Sequence, residues 1–183
     1  MRRGLLIAAM SIAALALMAG CSAAKAADGG TTAQRAIVER VVDGDTVVLS
    51  IDGQGSLKTR LISIDAPESV AADESRNCEE GKIASEYLEQ LLPAGTEVYV
   101  TAEKTDRDKY GRLLRHVWLA DPNGREHDEG FARGSMVEAL LVSAGMAQAK
   151  KYDPDTVYYP LLKSLGDEAA ANGAGVTQKW ANK

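Results

Sequence analysis

The chain has 183 residues, 45% of them hydrophobic and 26% charged, with two cysteines and a formal net charge of −5. This composition excludes low-complexity disorder and a disulfide-stapled miniprotein, and it fits one ordinary globular domain. The acidic balance also excludes capture of a long anionic duplex by bulk attraction, because such affinity scales with the phosphates neutralised by Lys and Arg. Any nucleic-acid chemistry must rest on a local site.

The first residues read as targeting. Arg2 and Arg3 give a positive n-region, and 5–17 is an apolar run broken only by Ser11, the length of a signal h-region and shorter than a ~20-residue membrane span. Residues 1–21 are therefore expected to be a lipoprotein-type signal peptide: Leu17-Met18-Ala19-Gly20-Cys21 resembles a bacterial lipobox, which would make Cys21 the lipidated mature N-terminus. Cleavage after Ala24-Lys25-Ala26 is the alternative. Both readings export the domain; the first anchors it to the cell envelope through lipid alone. Loss of Arg2 and Arg3 changes 21 basic against 26 acidic groups into 19 against 26, a net charge of −7. With Cys21 acylated, Cys78 has no partner in the chain, and its polar surroundings make it a plain surface thiol. Residues 22–33, rich in Ala, Ser, Gly and Thr, read as a flexible tether, and 34–183 as one folded, monomeric domain.

Three runs rich in Val and Ile follow, at 36–42, 46–51 and 57–64, joined through Asp43-Gly44-Asp45 and Asp52-Gly53-Gln54-Gly55, so hairpins are expected. Residues 80–92 carry Ile83, Tyr87 and Leu91 at helical spacing and stop before Pro93. Two more strands are expected at 96–102 and 113–119. Segment 121–134 reads as an inserted hairpin tip, and Ser135-Met136-Val137-Glu138 as a capping box ahead of a helix that closes at Gly145. Leu161, Leu165 and Ala169 mark a last helix ending near Gly173. The order is α+β, and five short strands that must hide their edges suggest a small OB-type β-barrel with about three helices packed on it.

The chemistry concentrates where strands end. Asp43 and Asp45 flank a glycine, and Asp65 and Glu68 flank Pro67 after the third strand, so four carboxylates are expected at one barrel rim. Like charges held close are expensive unless a cation neutralises them. With two histidines and no cysteine pair, the available ligands are hard oxygens, which select Ca²⁺ or Mg²⁺ over Zn²⁺. Asp-Gly-Asp is also an ordinary hairpin turn. Arg60 leads toward Asp65 and Arg112 follows the Lys109-Tyr110-Gly111 turn; a guanidinium is a bidentate partner for phosphoryl oxygens. Strict alternation puts Arg60 and Asp65 on opposite faces, so a twist or bulge is needed between them. His116 and His127 read as packing and surface groups, Trp118, Trp180, Tyr158, Tyr159, Leu161 and Leu162 as core. Lys104, Arg107, Lys109, Arg112 and Arg115 form a candidate basic track, interrupted by Asp106 and Asp108.

Val41-Val42-Asp43-Gly44-Asp45-Thr46-Val47, Arg60-Leu61-Ile62-Ser63-Ile64-Asp65-Ala66-Pro67-Glu68, Thr105-Asp106-Arg107-Asp108-Lys109-Tyr110-Gly111-Arg112 and Trp180 resemble, in order and spacing, the staphylococcal nuclease (thermonuclease) family. The resemblance implies an OB-fold barrel that hydrolyses DNA and RNA with Ca²⁺ and leaves 3′-phosphates. It implies Asp45, Asp65 and the backbone carbonyl of Ala66 as metal ligands, with Asp43 nearby through water. It further implies Glu68 as the group that orients or deprotonates the attacking water, Arg60 and Arg112 as phosphate clamps, and Lys109, Tyr110 and Tyr152 as substrate contacts. The acidic surface favours single-stranded substrate. A non-catalytic OB module that binds oligonucleotide or oligosaccharide is the alternative, against which the repelling acids argue, because a mere binder needs none.

Overall fold

The computed structural model describes residues 32–70 and 77–181. The signal peptide, Cys21 and nearly all of the tether lie outside the described residues. Strand β1 (Gln34–Asp43) pairs antiparallel with β2 (Thr46–Ile51), which pairs antiparallel with β3 (Gly55–Leu61). Strands β5 (Glu97–Thr101) and β6 (Leu113–Trp118) pair with each other; β5 returns to β1, and β6 lies parallel to β3. The result is a closed barrel in the order β1-β2-β3-β6-β5. The five-stranded α+β expectation holds.

The third expected strand does not run unbroken to Ile64. It ends at Leu61, and after a turn the chain resumes as the two-residue β4 (Ile64–Asp65), paired with β7 (Gln148–Ala149). The cause is Ser63, which has φ of 63°. A left-handed residue other than glycine is uncommon, and here burial over-determines it: Ser63 is fully buried, its Oγ donates to the Asp155 carbonyl at 3.5 Å, and its carbonyl accepts from the Lys150 N–H at 2.9 Å.

Helix α1 (Glu79–Leu91) buries Ala84 and Leu88 and lies one residue earlier than its pattern suggests. Its first turn meets the rim. A Cβ on Gly44 would stand 2.8 Å from the Ala66 Cβ and 3.0 Å from the Ala84 Cβ, and one on Gly81 would overlap the Glu68 carbonyl. Both glycines therefore permit a close approach of backbones. Cys78 is the N-cap of α1, half-buried rather than a surface thiol, because its N–H donates to the Glu68 carbonyl at 3.1 Å while its Sγ lies 3.7 Å from the same oxygen.

Four further helices follow the barrel, so the count is five among the described residues rather than about three. Segment 121–134 is not a hairpin tip: after turns at 122–127, Asp128 accepts the Phe131 N–H at 2.9 Å and starts α2 (Glu129–Ser135). The Ser135 capping box does not form. Ser135 ends α2, its hydroxyl donating to the Phe131 carbonyl at 2.6 Å, and α3 (Val137–Ser143) starts from Met136 with no side-chain cap. Helices α4 (Tyr159–Ala171) and α5 (Thr177–Ala181) complete the chain. Leu49, Leu61, Leu113, Val117, Met136, Leu141 and Leu162 are fully buried between barrel and helices. Trp118 is core as expected, T-shaped against Tyr158 and stacked on Phe131, its indole N–H donating to Thr101 at 3.0 Å. Trp180 on α5 is only half-buried and lies outside that core.

Candidate active site

The β1–β2 turn, the end of β3, the 66–68 loop, the 105–112 loop and the start of the 152–157 segment enclose a cleft of about 870 Å³. Asp43, Asp45, Arg60, Asp65, Glu68, Lys109, Tyr110, Arg112 and Tyr152 all line it. Ala66 is buried beneath, its N–H donating to Asp45 Oδ2 at 3.1 Å.

Arg60 and Asp65 meet, as the chemistry requires and alternation forbids. The turn at Ser63 resets the phase of the chain, so Arg60 Nη2 donates to Asp65 Oδ1 at 3.2 Å and to the Ile64 carbonyl at 3.1 Å. Arg60 Nη1 pairs with Asp45 Oδ2. One guanidinium thus spans both carboxylates, with about a tenth of its side chain exposed. Lys150 Nζ takes the other face of Asp65 at 2.8 Å; burial opposes its charge, but that carboxylate outweighs burial and raises its pKa above the ordinary 10.5. The four acids therefore share a cleft without crowding one point, and among the described residues no three His, Cys, Asp or Glu side chains form a metal cage. Cations of the protein already stand between them.

Asp43 feels the same cations but is dominated by burial. Its carboxylate accepts the Asp45 N–H at 3.1 Å, yet burial pushes its pKa above 3.8 against the pull of Thr46, Arg60, Lys58 and Arg112. The donor set at hand, the carboxylates of Asp45 and Asp65 and a backbone carbonyl at Ala66, is all hard oxygen, and each carboxylate oxygen retains acceptor capacity beyond the bonds described. These residues fit Ca²⁺.

Arg112 is held for its task. Asp108 accepts from Arg112 Nε at 2.7 Å and from the backbone N–H groups of Tyr110 and Arg112 at 2.9 and 3.0 Å. Burial works against the charge on Asp108, but these donors prevail and keep its carboxyl below 3.8. Arg112 Nη1 reaches Thr46 Oγ1 at 3.3 Å and stacks over Tyr110, where Lys109 also lies. Tyr110 is 72% exposed, so its ring is open to a partner. The loop of Glu68 is clamped from behind by Cys78 and Gly81.

The basic track is not continuous. Arg115 is buried and bound to Asp106 at 2.6 Å, because it sits three residues from Arg112 and points to the opposite face of β6. Arg107 is tied to Asp106 and to the Gly111 carbonyl. The structure adds Lys58 to the cleft, which the spacing of Lys58 and Arg60 on one strand face could have revealed. It also adds Asp108, four residues before the arginine it orients. His127 is exposed as expected, whereas His116 is buried between two glutamates.

Known proteins share this arrangement of sequence. Residues 58–180 match the family described as staphylococcal nuclease homologue. The chain is 34% identical over 133 residues to the thermonuclease of Staphylococcus intermedius, covering 73% of this chain and 70% of that protein. It is 32% identical over 132 residues to the thermonuclease of Staphylococcus hyicus, covering 72% and 69%. It is 30% identical over 140 residues to an uncharacterized endonuclease of Escherichia coli O157:H7, covering 76% and 74%. A closed five-stranded barrel whose rim joins two aspartates, two arginines and a glutamate agrees with those likenesses, and the chain belongs to the staphylococcal nuclease family.

Proposed function

We propose that this nuclease is a calcium-dependent phosphodiesterase acting on single-stranded or frayed nucleic acid outside the cytoplasm. The observation that carries the reading is the cleft itself: hard-oxygen ligands, two positioned guanidinium groups and Glu68 face one volume. Asp45, Asp65 and the Ala66 carbonyl would hold Ca²⁺, with Asp43 supplying charge behind them; the ion would polarise the phosphoryl group and offset charge in the transition state.

Glu68 then accepts a proton from the attacking water. Arg60 and Arg112 grip phosphoryl oxygens and stabilise the negative charge that develops as the ester bond breaks. Asp108 fixes the plane of the Arg112 guanidinium, so that less motion is lost on binding substrate. Tyr110 and Tyr152 offer faces for unpaired bases, and Lys58 and Lys109 attract the backbone. Export and lipid attachment at Cys21, and a monomeric state, follow from the sequence reading and form part of this proposal. The test is hydrolysis of denatured and native DNA by the purified protein with Ca²⁺, with Zn²⁺ and with a calcium-selective chelator. Cleavage is expected with Ca²⁺ alone and faster on denatured DNA; full activity in chelator would overturn the metal assignment.

A further inference from the structure

His116 has no role in the cleft, yet among the described residues it and its neighbour Glu138 are both sealed from solvent. It is fully buried, with Nδ1 3.1 Å from Glu138 Oε1 on α3 and Nε2 2.8 Å from Glu103 Oε1 in the loop after β5. A neutral imidazole carries one N–H, so two carboxylate oxygens on its two nitrogens require either an imidazolium or a protonated carboxyl. The cluster holds one proton more than a neutral ring between two carboxylates would. The remaining groups that face it supply none of the missing charge: Tyr158 packs edge-on to the ring at 4.7 Å, Asp155 lies nearby, and Glu126 receives the Tyr158 hydroxyl through its carbonyl. Thr101 is its cross-strand neighbour. Burial opposes the charged ring, but the two glutamates outweigh it and raise the His116 pKa above 6.5.

Glu103 has a second partner. Both of its oxygens accept the Val157 N–H, at 3.2 and 3.1 Å. Two residues earlier Asp155 accepts the N–H groups of Lys104 and Thr105, at 2.7 and 3.0 Å. The 103–105 and 155–157 stretches are thus joined at two points, and Tyr152, Asp153 and Asp155 form a wall of the cleft. The geometry points to a proton-operated latch: while the shared proton is present His116 fixes Glu103, Glu103 fixes Val157, and the 152–157 wall stays in place for substrate; when the proton leaves, the wall loosens and affinity falls. His116 and Glu103 are positioning residues, since neither touches the cleft. Only the affinity arm of this inference rests on the proposed function.

The experiment starts with unmutated protein. Nitrogen-15 histidine NMR should show an imidazolium at pH 6.5 that titrates only above it, and the exchange protection of the Val157 amide, corrected for intrinsic rate, should drop through the same midpoint. KM for a single-stranded oligonucleotide in saturating Ca²⁺ should rise across that midpoint by about fivefold or more, the lower end of measured site-to-site coupling, with kcat changing less. E103Q keeps an oxygen for Val157 but removes the charge; it should flatten the KM profile without unfolding the chain. A ring already neutral at pH 6.5, Val157 protection constant across the midpoint, or an unflattened KM profile in E103Q would each overturn the latch. A titrating ring with coupled Val157 protection in a protein that cleaves nothing would support the latch and overturn the nuclease reading instead.

Discussion

At the rim, Arg60 spans Asp45 and Asp65 with about a tenth of its side chain in contact with solvent; on the neighbouring strand, His116 spans Glu103 and Glu138 with none. Both are one base between two acids. In the cleft the base is permanently charged and open to solvent, and under the proposed function its partners would be exchanged for a metal ion or a phosphate. In the interior the base can lose its proton, nothing can replace it, and both acids are also tied to backbone N–H groups at Val157 and Val117. Access, rather than composition, separates a site that can turn over from a joint that can only hold or release.

The comparison breaks most sharply if activity survives loss of the rim. Chelation of Ca²⁺ should abolish cleavage, and Glu68→Gln should lower kcat by about 10²–10⁴, as for a missing general base. Arg112→Ala should cost about 10²–10³ in kcat, as for one preorganised charge donor. Arg115→Ala, three residues further along the chain, should leave kcat near wild type and instead lower stability by roughly 0.5–3 kcal/mol, read by denaturant titration. Gly81→Ala should destabilise by about 1–3 kcal/mol through overpacking against the Glu68 carbonyl, and kcat should fall with it as the glutamate shifts.

The pH dependence of stability sharpens the contrast by sign. His116 has a folded pKa raised above 6.5, so its stabilisation is complete below that pH and is lost as pH rises through the folded value; Glu138, raised above 4.5 chiefly by burial, acts in the same direction. Asp108 is held below 3.8, so its stabilisation is present above that value and is lost as pH falls through the lower folded one. Urea midpoints against pH should therefore fall on the alkaline side in wild type and less so in E103Q, while Asp108→Asn should remove only an acid-side decline. The smallest effect belongs to Lys58→Ala, which should reduce the salt dependence of KM by a log–log slope of about 0.7, one phosphate contact on a single strand.

Much of the barrel was legible because Asp-Gly turns and β-branched runs are local signals, and the three motifs contain Asp43, Asp45, Arg60, Asp65, Glu68 and Arg112, which line one cleft, with Ala66 buried beneath it. What was not legible depends on contacts far apart in sequence. Residues 57–64 contain no glycine or proline, so nothing in the run itself betrays the left-handed Ser63; its conformation is held by Lys150 and Asp155. Glu138 fits the third position of a capping box, and only the arrival of β6 turns it toward His116. Arg115 reads as one more cation in a basic run because strand phase relative to the cleft is fixed by the barrel. Helix α2 has a legible cap in Asp128, but the charges at 125–129 suggest a solvated loop.

Closure of the barrel also governs how the chain acquires its shape. Gln34 pairs with Val100, and Thr59 with Leu113 in a parallel ladder, so neither seam can join until more than fifty further residues are present. Such non-local pairing slows folding relative to a helical protein of similar size, because loop entropy is lost before contacts form. A chain delivered from its N-terminus therefore presents the open edge of β1 until Thr101 emerges and that of β3 until β6 emerges. Truncation ahead of β6 should leave an edge-exposed, aggregation-prone fragment rather than a smaller working domain.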